Sequence, residues 1–147
     1  MSGLAGLLAG LIVGESEAGI YRWRGAFDVA DVRRTVEHAG FGFAHVDGWL
    51  TQTKAEFLVA VGQALDLPDD YEHNFDALAD CLHDIGTRQA GVMLLWDGWS
   101  TLARADETSF NIALTVLGSR VNADRGVPFS VLLRGEGPEV PGIGSLD

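Results

Sequence analysis

A chain of 147 residues with 47% hydrophobic content is long enough for one hydrophobic core and short for two. Its net charge of −11 argues against direct binding of nucleic acid, which requires clustered Lys and Arg, and favours a basic partner. A single cysteine, Cys81, excludes an internal disulfide and a cysteine-based zinc site, and it fits the reducing cytoplasm.

The two ends of the chain differ in composition from the region between them. Residues 4–13 are apolar, but the run is too short to span a bilayer and is interrupted by glycines. A signal peptide would require positively charged residues before the apolar run, and no Lys or Arg precedes it. We therefore expect residues 1–19 to form an arm or a short helix. Residues 135–147 are rich in Gly and Pro and are expected to form a loose C-terminal tail.

Strand and helix patterns alternate between these ends. Strand patterns occupy residues 20–24, 41–46, 92–96 and 129–133, and helical patterns occupy residues 30–39, 75–85 and 107–123, with a further helix after the capping box Thr53-Lys54-Ala55-Glu56. This alternation predicts parallel strands joined by right-handed crossovers. We predict a single α/β domain over residues 20–134, with a three-stranded parallel sheet and flanking helices. Residues 20–40 would add a strand at one edge and its helix.

The segment of residues 67–85 contains the start of one of these helices. Pro68 ends the preceding helix because it cannot continue one, and Asn74 is expected to be the N-cap of the next. Four apolar residues then recur at helical spacing and predict a buried face: Phe75, Leu78, Leu82 and Ile85.

Acidic residues define another face of this helix. Asp76, Asp80 and Asp84 are spaced at i, i+4 and i+8, and each like-charge pair costs an isolated helix about 0.2–0.5 kcal/mol. Three more acidic residues come just before the helix: Asp69, Asp70 and Glu72. These carboxylates are either a solvated helix face or a surface for a basic partner. The absence of Lys and Arg from residues 67–87 favours the second interpretation.

Two sets of residues in this segment also fit other chemistry. His73, Asp76 and Asp80 are potential metal ligands, but nothing in the sequence supplies a further ligand. Cys81 with His73 or His83 would form a catalytic dyad, although Cys81 lies beside the apolar face and is expected to be a small core residue.

Two strand patterns end in the same way. Asp47 and Asp97 are each followed by Gly and Trp, which fits either a ligand site at the strand ends or ordinary turn chemistry. No nucleophile motif and no phosphate-binding loop of the type Gly-x-x-x-x-Gly-Lys occurs in the sequence.

The acidic segment also resembles a known family. The residues Tyr71, Asn74, Asp76-Ala77-Leu78 and Asp80-Cys81-Leu82 are similar to the inhibitory loop and helix of the barstar family of intracellular ribonuclease inhibitors, and the resemblance extends over about residues 41–134. It implies a two-layer fold, in which a small parallel sheet is flanked by helices, and no enzymatic activity. It also implies that the matching residues contact or shape the nuclease site, with Asp80 as the central acidic anchor.

Several residues depart from the family pattern. Asp70 stands where the family example has an aromatic residue, Glu72 where it has Gly, and Ala79 where it has Trp. The family also uses a Glu on its last long helix, where this chain offers only Asp124. These departures leave the inhibitory mode in place and the identity of the nuclease open.

We therefore predict a cytoplasmic, barstar-like inhibitor that occludes the basic active site of a ribonuclease. The expected partner-binding residues are Tyr71, Asn74, Asp76, Asp80, Asp70, Glu72, His73 and Asp84. The alternatives are an immunity protein for a different basic toxin, or a small-ligand binder or enzyme that uses Asp47 and Asp97. We expect no cofactor, metal, direct nucleic-acid contact or membrane partner, and the oligomeric state stays open.

Overall fold

The computed structural model describes residues 10–12, 17–68, 70–123 and 126–145. The strands are β1 (Ile20–Trp23), β2 (Gly42–Asp47), β3 (Val92–Asp97), β4 (Phe129–Arg134) and β5 (Gly144–Ser145). The helices are α1 (Val29–His38), α2 (Lys54–Ala64), α3 (Phe75–Leu82), α4 (Ser100–Ala105) and α5 (Glu107–Val121), with a 3-10 helix at Gly48–Leu50. At least one helix separates each pair of successive strands from β1 to β4, as predicted.

The five strands form one sheet in the order β2-β3-β4-β1-β5, with parallel pairing throughout. The predicted three-stranded sheet is confirmed as β2-β3-β4, and β1 joins it beside β4, with Ile20 opposite Val131. β5 was not predicted: Gly144 pairs with Tyr21 on the outer edge of β1, inside the segment expected to be a loose tail. Gly and Pro mark turns in this segment, but they do not prevent two residues from pairing with an open strand edge.

Helices cover both faces of the sheet, which gives three layers where two were expected. On one face, α2, α3, α4 and α5 pack against side chains that include Val46, Leu94, Trp96, Val131 and Leu133. On the other face, α1 packs against Phe43, Met93, Leu95 and Leu132. Because alternate strand residues point to opposite faces, burial on both sides accounts for the continuous apolar run in β3.

Capping interactions set the ends of two helices. Thr53 and Glu56 form the predicted capping box of α2, in which each side chain accepts a hydrogen bond from the backbone N–H of the other. Asp106 separates α4 from α5, and its carboxylate caps α5 by accepting from the Ser109 N–H at 3.1 Å. The last long helix is therefore preceded by a short helix that the sequence pattern did not reveal.

Only part of the predicted N-terminal arm lies within the described residues. Residues 10–12 are helical, and Leu11 is buried with the side chains beneath α1. Residues 1–9 and 13–16 lie outside the described residues, as do Asp69 and Asp124. In the ranges that the structure describes, no helix combines the length and apolar character needed to cross a membrane.

Candidate functional site: an acidic loop and helix

The loop before α3 starts where α2 ends in a Schellman motif. The Leu67 N–H donates to the Gly62 carbonyl at 2.9 Å and the Asp66 N–H donates to the Gln63 carbonyl at 3.3 Å, which satisfies the last carbonyls of α2. The motif requires a left-handed residue, and Asp66 adopts that conformation with φ 54°. Pro68 follows and cannot continue the helix, so the chain enters the loop here as predicted.

Tyr71 anchors this loop in the hydrophobic core. Its ring is 9% exposed and lies against Gly62 of α2, and its hydroxyl donates a hydrogen bond to the Leu58 carbonyl at 3.2 Å. Burial raises the pKa of Tyr71 to about 12, with a further contribution from the charge of Cys81. The buried ring supports the loop within this protein, and the part of Tyr71 in partner binding stays a prediction. The exposed His73 ring packs edge-on against it, with centroids 5.1 Å apart.

Asn74 begins α3 as an N-cap, which confirms the prediction. Its side-chain oxygen accepts a hydrogen bond from the Ala77 N–H at 2.7 Å, and its Nδ2 donates to Glu72 at 3.5 Å. The helix buries an apolar face made of Phe75, Leu78 and Leu82. Burial of that face turns Asp76 and Asp80 towards solvent, where both side chains are exposed.

A buried arginine holds the C-terminal end of α3. Arg120 of α5 is 4% exposed, and its guanidinium donates to the Leu82 carbonyl at 2.9 Å and to the Val127 carbonyl at 2.8 Å. Burial lowers the pKa of Arg120, while a cation at a helix C-terminus is stabilised by the helix dipole. The helix ends at Leu82 and not at Ile85, so Asp84 lies in the following turn and not on the helix. Residue patterns could not reveal this role of Arg120 because its acceptors are backbone carbonyls.

Five exposed carboxylates of this region form what we call the acidic surface: Asp70, Glu72, Asp76, Asp80 and Asp84. None of them forms an ion pair with any residue that the structure describes. Burial raises the pKa of the Cys81 thiol, and the charges of Asp70, Asp80 and Asp84 raise it further. Asp70, Asp80 and Asp84 therefore act on one common group, and none of the five carboxylates has an ion-pair partner among the described residues.

The metal and dyad alternatives find no support in this geometry. A nucleophilic cysteine requires a lowered pKa, whereas the pKa of Cys81 is raised by its burial and by the acidic surface. Within the described parts of the chain, no three His, Cys, Asp or Glu residues are placed to hold a metal ion, so His73, Asp76 and Asp80 do not form such a group.

The strand-end aspartates have two different structural roles. Asp47 accepts a hydrogen bond from the Trp49 N–H at 3.2 Å, which is turn chemistry. Asp97 instead accepts from the Arg134 guanidinium at 2.5 and 3.0 Å, and its carboxylate lies 2.8 Å from Nε2 of His45. Burial alone would raise the pKa of Asp97, but the hydrogen bonds and charges of His45 and Arg134 hold it below its usual range.

This ion network fastens the N-terminal unit to the rest of the fold. Arg134 is the last residue of β4, directly opposite Asp97 in the register, and it also donates to the carbonyls of Gly25 and Phe27 before α1. Asp97 therefore neutralises a partly buried arginine and is not available as a ligand-binding carboxylate. Sequence reasoning missed the pair because it could not tell which charged strand ends become neighbours.

The fold and the acidic surface together define a small α/β protein with a parallel sheet. Its acidic helix exposes carboxylates on one face and packs its apolar face into the hydrophobic core. The barstar family model, described as barstar, the barnase inhibitor, matches residues 41–134. The chain belongs to the barstar family. No curated protein is significantly similar to it in sequence. The match leaves β1, α1 and β5 outside the family region.

Similar solved structures include two larger proteins, each named ORC or ORC2. The ORC2 protein of Aeropyrum pernix, solved in ADPNP–ADP complexes, matches with a TM-score of 0.60 and 12% identity over 91% of this chain and 39% of that chain. Drosophila ORC bound to DNA matches with a TM-score of 0.60 and 16% identity over 88% of this chain and 36% of that one. This chain thus spans less than half of either protein. The likeness concerns the fold alone.

Proposed function

We propose that this protein is a barstar-like inhibitor that binds and occludes the basic active site of a ribonuclease through its acidic surface. The observation that supports this function is the exposure of Asp76 and Asp80 on α3 without any cation partner among the described residues. Like charges one helical turn apart cost the free protein about 0.2–0.5 kcal/mol per pair. Cations of a partner remove that cost on binding.

In the proposed complex, the carboxylates take the place of RNA phosphates. Asp76 and Asp80 would accept charge-assisted hydrogen bonds from the Arg, Lys and His side chains that bind RNA in the nuclease. Tyr71 and Asn74 support this surface from behind, because the buried ring and the N-cap hold the loop and helix in one arrangement before binding. The barnase–barstar pair is itself the reference example of electrostatically steered association, so the expectation of steering is carried over from that pair.

The target is a ribonuclease with a more strongly cationic contact surface than the family example requires. Asp70 and Glu72 are exposed carboxylates at positions where the family example has an aromatic residue and Gly. Ala79, where the family example has Trp, is partly buried and offers little contact area.

The same chemistry fits an immunity protein for another basic toxin, which is the second candidate function. Either role is placed in the cytoplasm, where Cys81 stays reduced.

A titration of purified secreted ribonucleases, with RNA hydrolysis as the readout, tests this function. We expect stoichiometric inhibition of at least one cationic ribonuclease by the wild-type protein and none by the Asp76→Asn, Asp80→Asn double variant. A matched control, Asp28→Asn with Glu139→Gln, removes the same charge from two exposed residues outside the acidic surface and should inhibit normally. Equal inhibition by the acidic-surface variant and the control would contradict the proposal. Binding of a basic toxin without ribonuclease activity would establish the second candidate instead.

A further inference from the structure

A cleft of about 860 Å³ lies at the carboxyl ends of β1 and β4. It is formed by the segment between β1 and α1, the end of α4, and the segment after β4, so most of its lining lies outside the region that matches the barstar family. Because β1 and β4 are parallel neighbours, with Trp23 opposite Arg134, their ends open at the same edge of the sheet. That edge is where open α/β sheets bind ligands. Small-molecule sites have volumes of about 300–1,000 Å³.

The cleft concentrates positive charge in an acidic protein. Four of the ten Lys and Arg residues line it: Arg22, Arg24, Arg104 and Arg134. Among the described residues that line the cleft, Glu136 is the acidic one. Arg134 is neutralised by its ion pair with Asp97. Arg104 is exposed and forms no hydrogen bond or ion pair with another described residue. Arg22 donates one long hydrogen bond, 3.5 Å to the Gly135 carbonyl, which leaves most of its donors unused.

Aromatic side chains form the apolar wall of the same cleft. Trp23 and Phe27 are stacked, with ring centroids 6.0 Å apart and an angle of 19° between planes. The Trp23 ring is buried, yet its Nε1 has no hydrogen-bond acceptor among the described residues. Arg22 is held in place from the other side, since its guanidinium lies 5.0 Å from the centroid of the Trp99 ring.

We propose that this cleft binds a small organic phosphate. A phosphate presents three acceptor oxygens and close to two negative charges, which matches a cleft lined by both Arg22 and Arg104 better than a single carboxylate does. The organic part of the ligand would lie against Phe27 and Trp23. A polyanion such as RNA fits less well, because the protein as a whole carries a net charge of −11. The site is separate from the acidic surface and gives the N-terminal addition a function of its own.

Calorimetric titration of the full chain with three probes tests the site: phenyl phosphate, inorganic phosphate and benzoate. Phenyl phosphate should bind saturably at one site per chain, more tightly than inorganic phosphate, which lacks the ring, and than benzoate, which lacks the phosphate. The Arg104→Gln variant should bind phenyl phosphate about tenfold more weakly, as expected for loss of one charge-assisted contact. Arg88→Gln, which removes the same charge from an exposed residue outside the cleft, should bind like the wild type.

Three results would overturn this assignment. Absence of saturable phenyl phosphate binding would show that the cleft is not a binding site for this ligand class. Equal weakening of binding by Arg104→Gln and Arg88→Gln would show that binding depends on the net charge of the protein and not on the cleft. Benzoate or inorganic phosphate binding as tightly as phenyl phosphate would show that the ligand class is wrong. Because Arg104 is exposed, we expect its variant to keep the melting temperature of the wild type, and inhibition of the ribonuclease should be unchanged in it.

Discussion

The Tyr71 hydroxyl donates a hydrogen bond to the backbone carbonyl of Leu58 at 3.2 Å, and this contact joins the loop of the acidic surface to the preceding helix. The ring of Tyr71 packs directly against Gly62 of α2. The acidic surface is therefore positioned by a buried aromatic residue, and its geometry depends on the packing between α2 and the loop.

Removal of the Tyr71 hydroxyl should have an effect that depends on pH. Tyr71→Phe keeps the ring but loses the bond to Leu58, and we expect the free energy of unfolding to fall by about 0.5–1.5 kcal/mol at neutral pH. Burial raises the pKa of Tyr71 to about 12 in the folded protein. The unfolded chain loses this proton near pH 10, so the stability held below about pH 10 is lost as the pH rises through the folded value.

Urea unfolding of the wild type and Tyr71→Phe between neutral and alkaline pH measures this effect. The wild type should lose more stability above about pH 10 than the variant does. Identical alkaline loss in both proteins would show that Tyr71 does not titrate differently in the folded state.

Two glycine substitutions in helices should have opposite effects. The Cβ of Gly62→Ala would lie 2.7 Å from Cε2 of Tyr71, so the ring has to move and we expect a loss of about 1–3 kcal/mol. Gly118→Ala in α5 would place its Cβ 3.9 Å from Ile20, an ordinary contact, and should gain about 0.4–1 kcal/mol from helix propensity. Thermal or urea melts measure both. Stabilisation by Gly62→Ala would contradict the close packing of Tyr71 against α2.

Sequence patterns predicted the features that depend on residues close together in the chain. The capping box of Thr53, the N-cap of Asn74 and the break at Pro68 each involve partners within one helical turn, so residue type and spacing were sufficient. The exposure of Asp76 and Asp80 followed in the same way from the apolar face of α3. These are the features on which the proposed inhibitory site depends.

Features that depend on the neighbours of a strand were not predictable from the same patterns. Trp49 and Trp99 occupy the same sequence context, yet Trp49 is 57% exposed and Trp99 is buried. The difference arises because Trp49 follows the edge strand β2, whereas Trp99 follows β3 in the interior of the sheet. The pairing of β5 with β1 and the contact between Asp97 and Arg134 depend on strand order in the same way.

The two strand-end aspartates should respond differently to the same substitution. Asp97→Asn leaves the partly buried Arg134 without its counter-ion, and we expect a loss of about 2–4 kcal/mol in the free energy of unfolding. Asp47→Asn keeps a side chain that can cap the turn, and its effect should stay within about 0.5 kcal/mol. Neither change should weaken binding of the inhibited ribonuclease, because both residues lie outside the acidic surface.

The contribution of Asp97 should also depend on pH. Its pKa is lowered in the folded protein, so its stabilising contribution is present above the unfolded pKa of about 4 and is lost as the pH falls through the folded value. Urea unfolding in acid should therefore show a smaller loss for Asp97→Asn than for the wild type. Two results would contradict the structural roles given to Asp47 and Asp97. One is that Asp97→Asn is as stable as the wild type at neutral pH. The other is that either the Asp47→Asn or the Asp97→Asn variant folds but no longer binds the partner.

Association with the ribonuclease should depend strongly on salt. If the uncompensated charge of the acidic surface steers a basic partner, added salt should lower the association rate far more than it raises the dissociation rate. Stopped-flow measurements over a series of ionic strengths separate the two rates. An association rate independent of salt would remove the electrostatic basis of the proposed recognition.

The most direct test of the inhibitory surface is to measure stability and affinity on the same variant, Asp80→Ala. Asp80 has no cation partner among the described residues, and alanine removes repulsion by its neighbours and favours the helix, so the free protein should keep its stability or gain up to about 1 kcal/mol. Affinity for the ribonuclease should fall by about 2 kcal/mol or more, since its cations would be left unpaired; the barnase–barstar pair supplies the reference example of such an acidic hot spot. Denaturant melts and binding titrations are made on Asp80→Ala and on the charge-matched control Glu139→Ala. Only Asp80→Ala should combine retained or increased stability with a lower affinity. Marked destabilisation of Asp80→Ala with unchanged affinity would mean that Asp80 is a structural residue and that the acidic surface is not the inhibitory site.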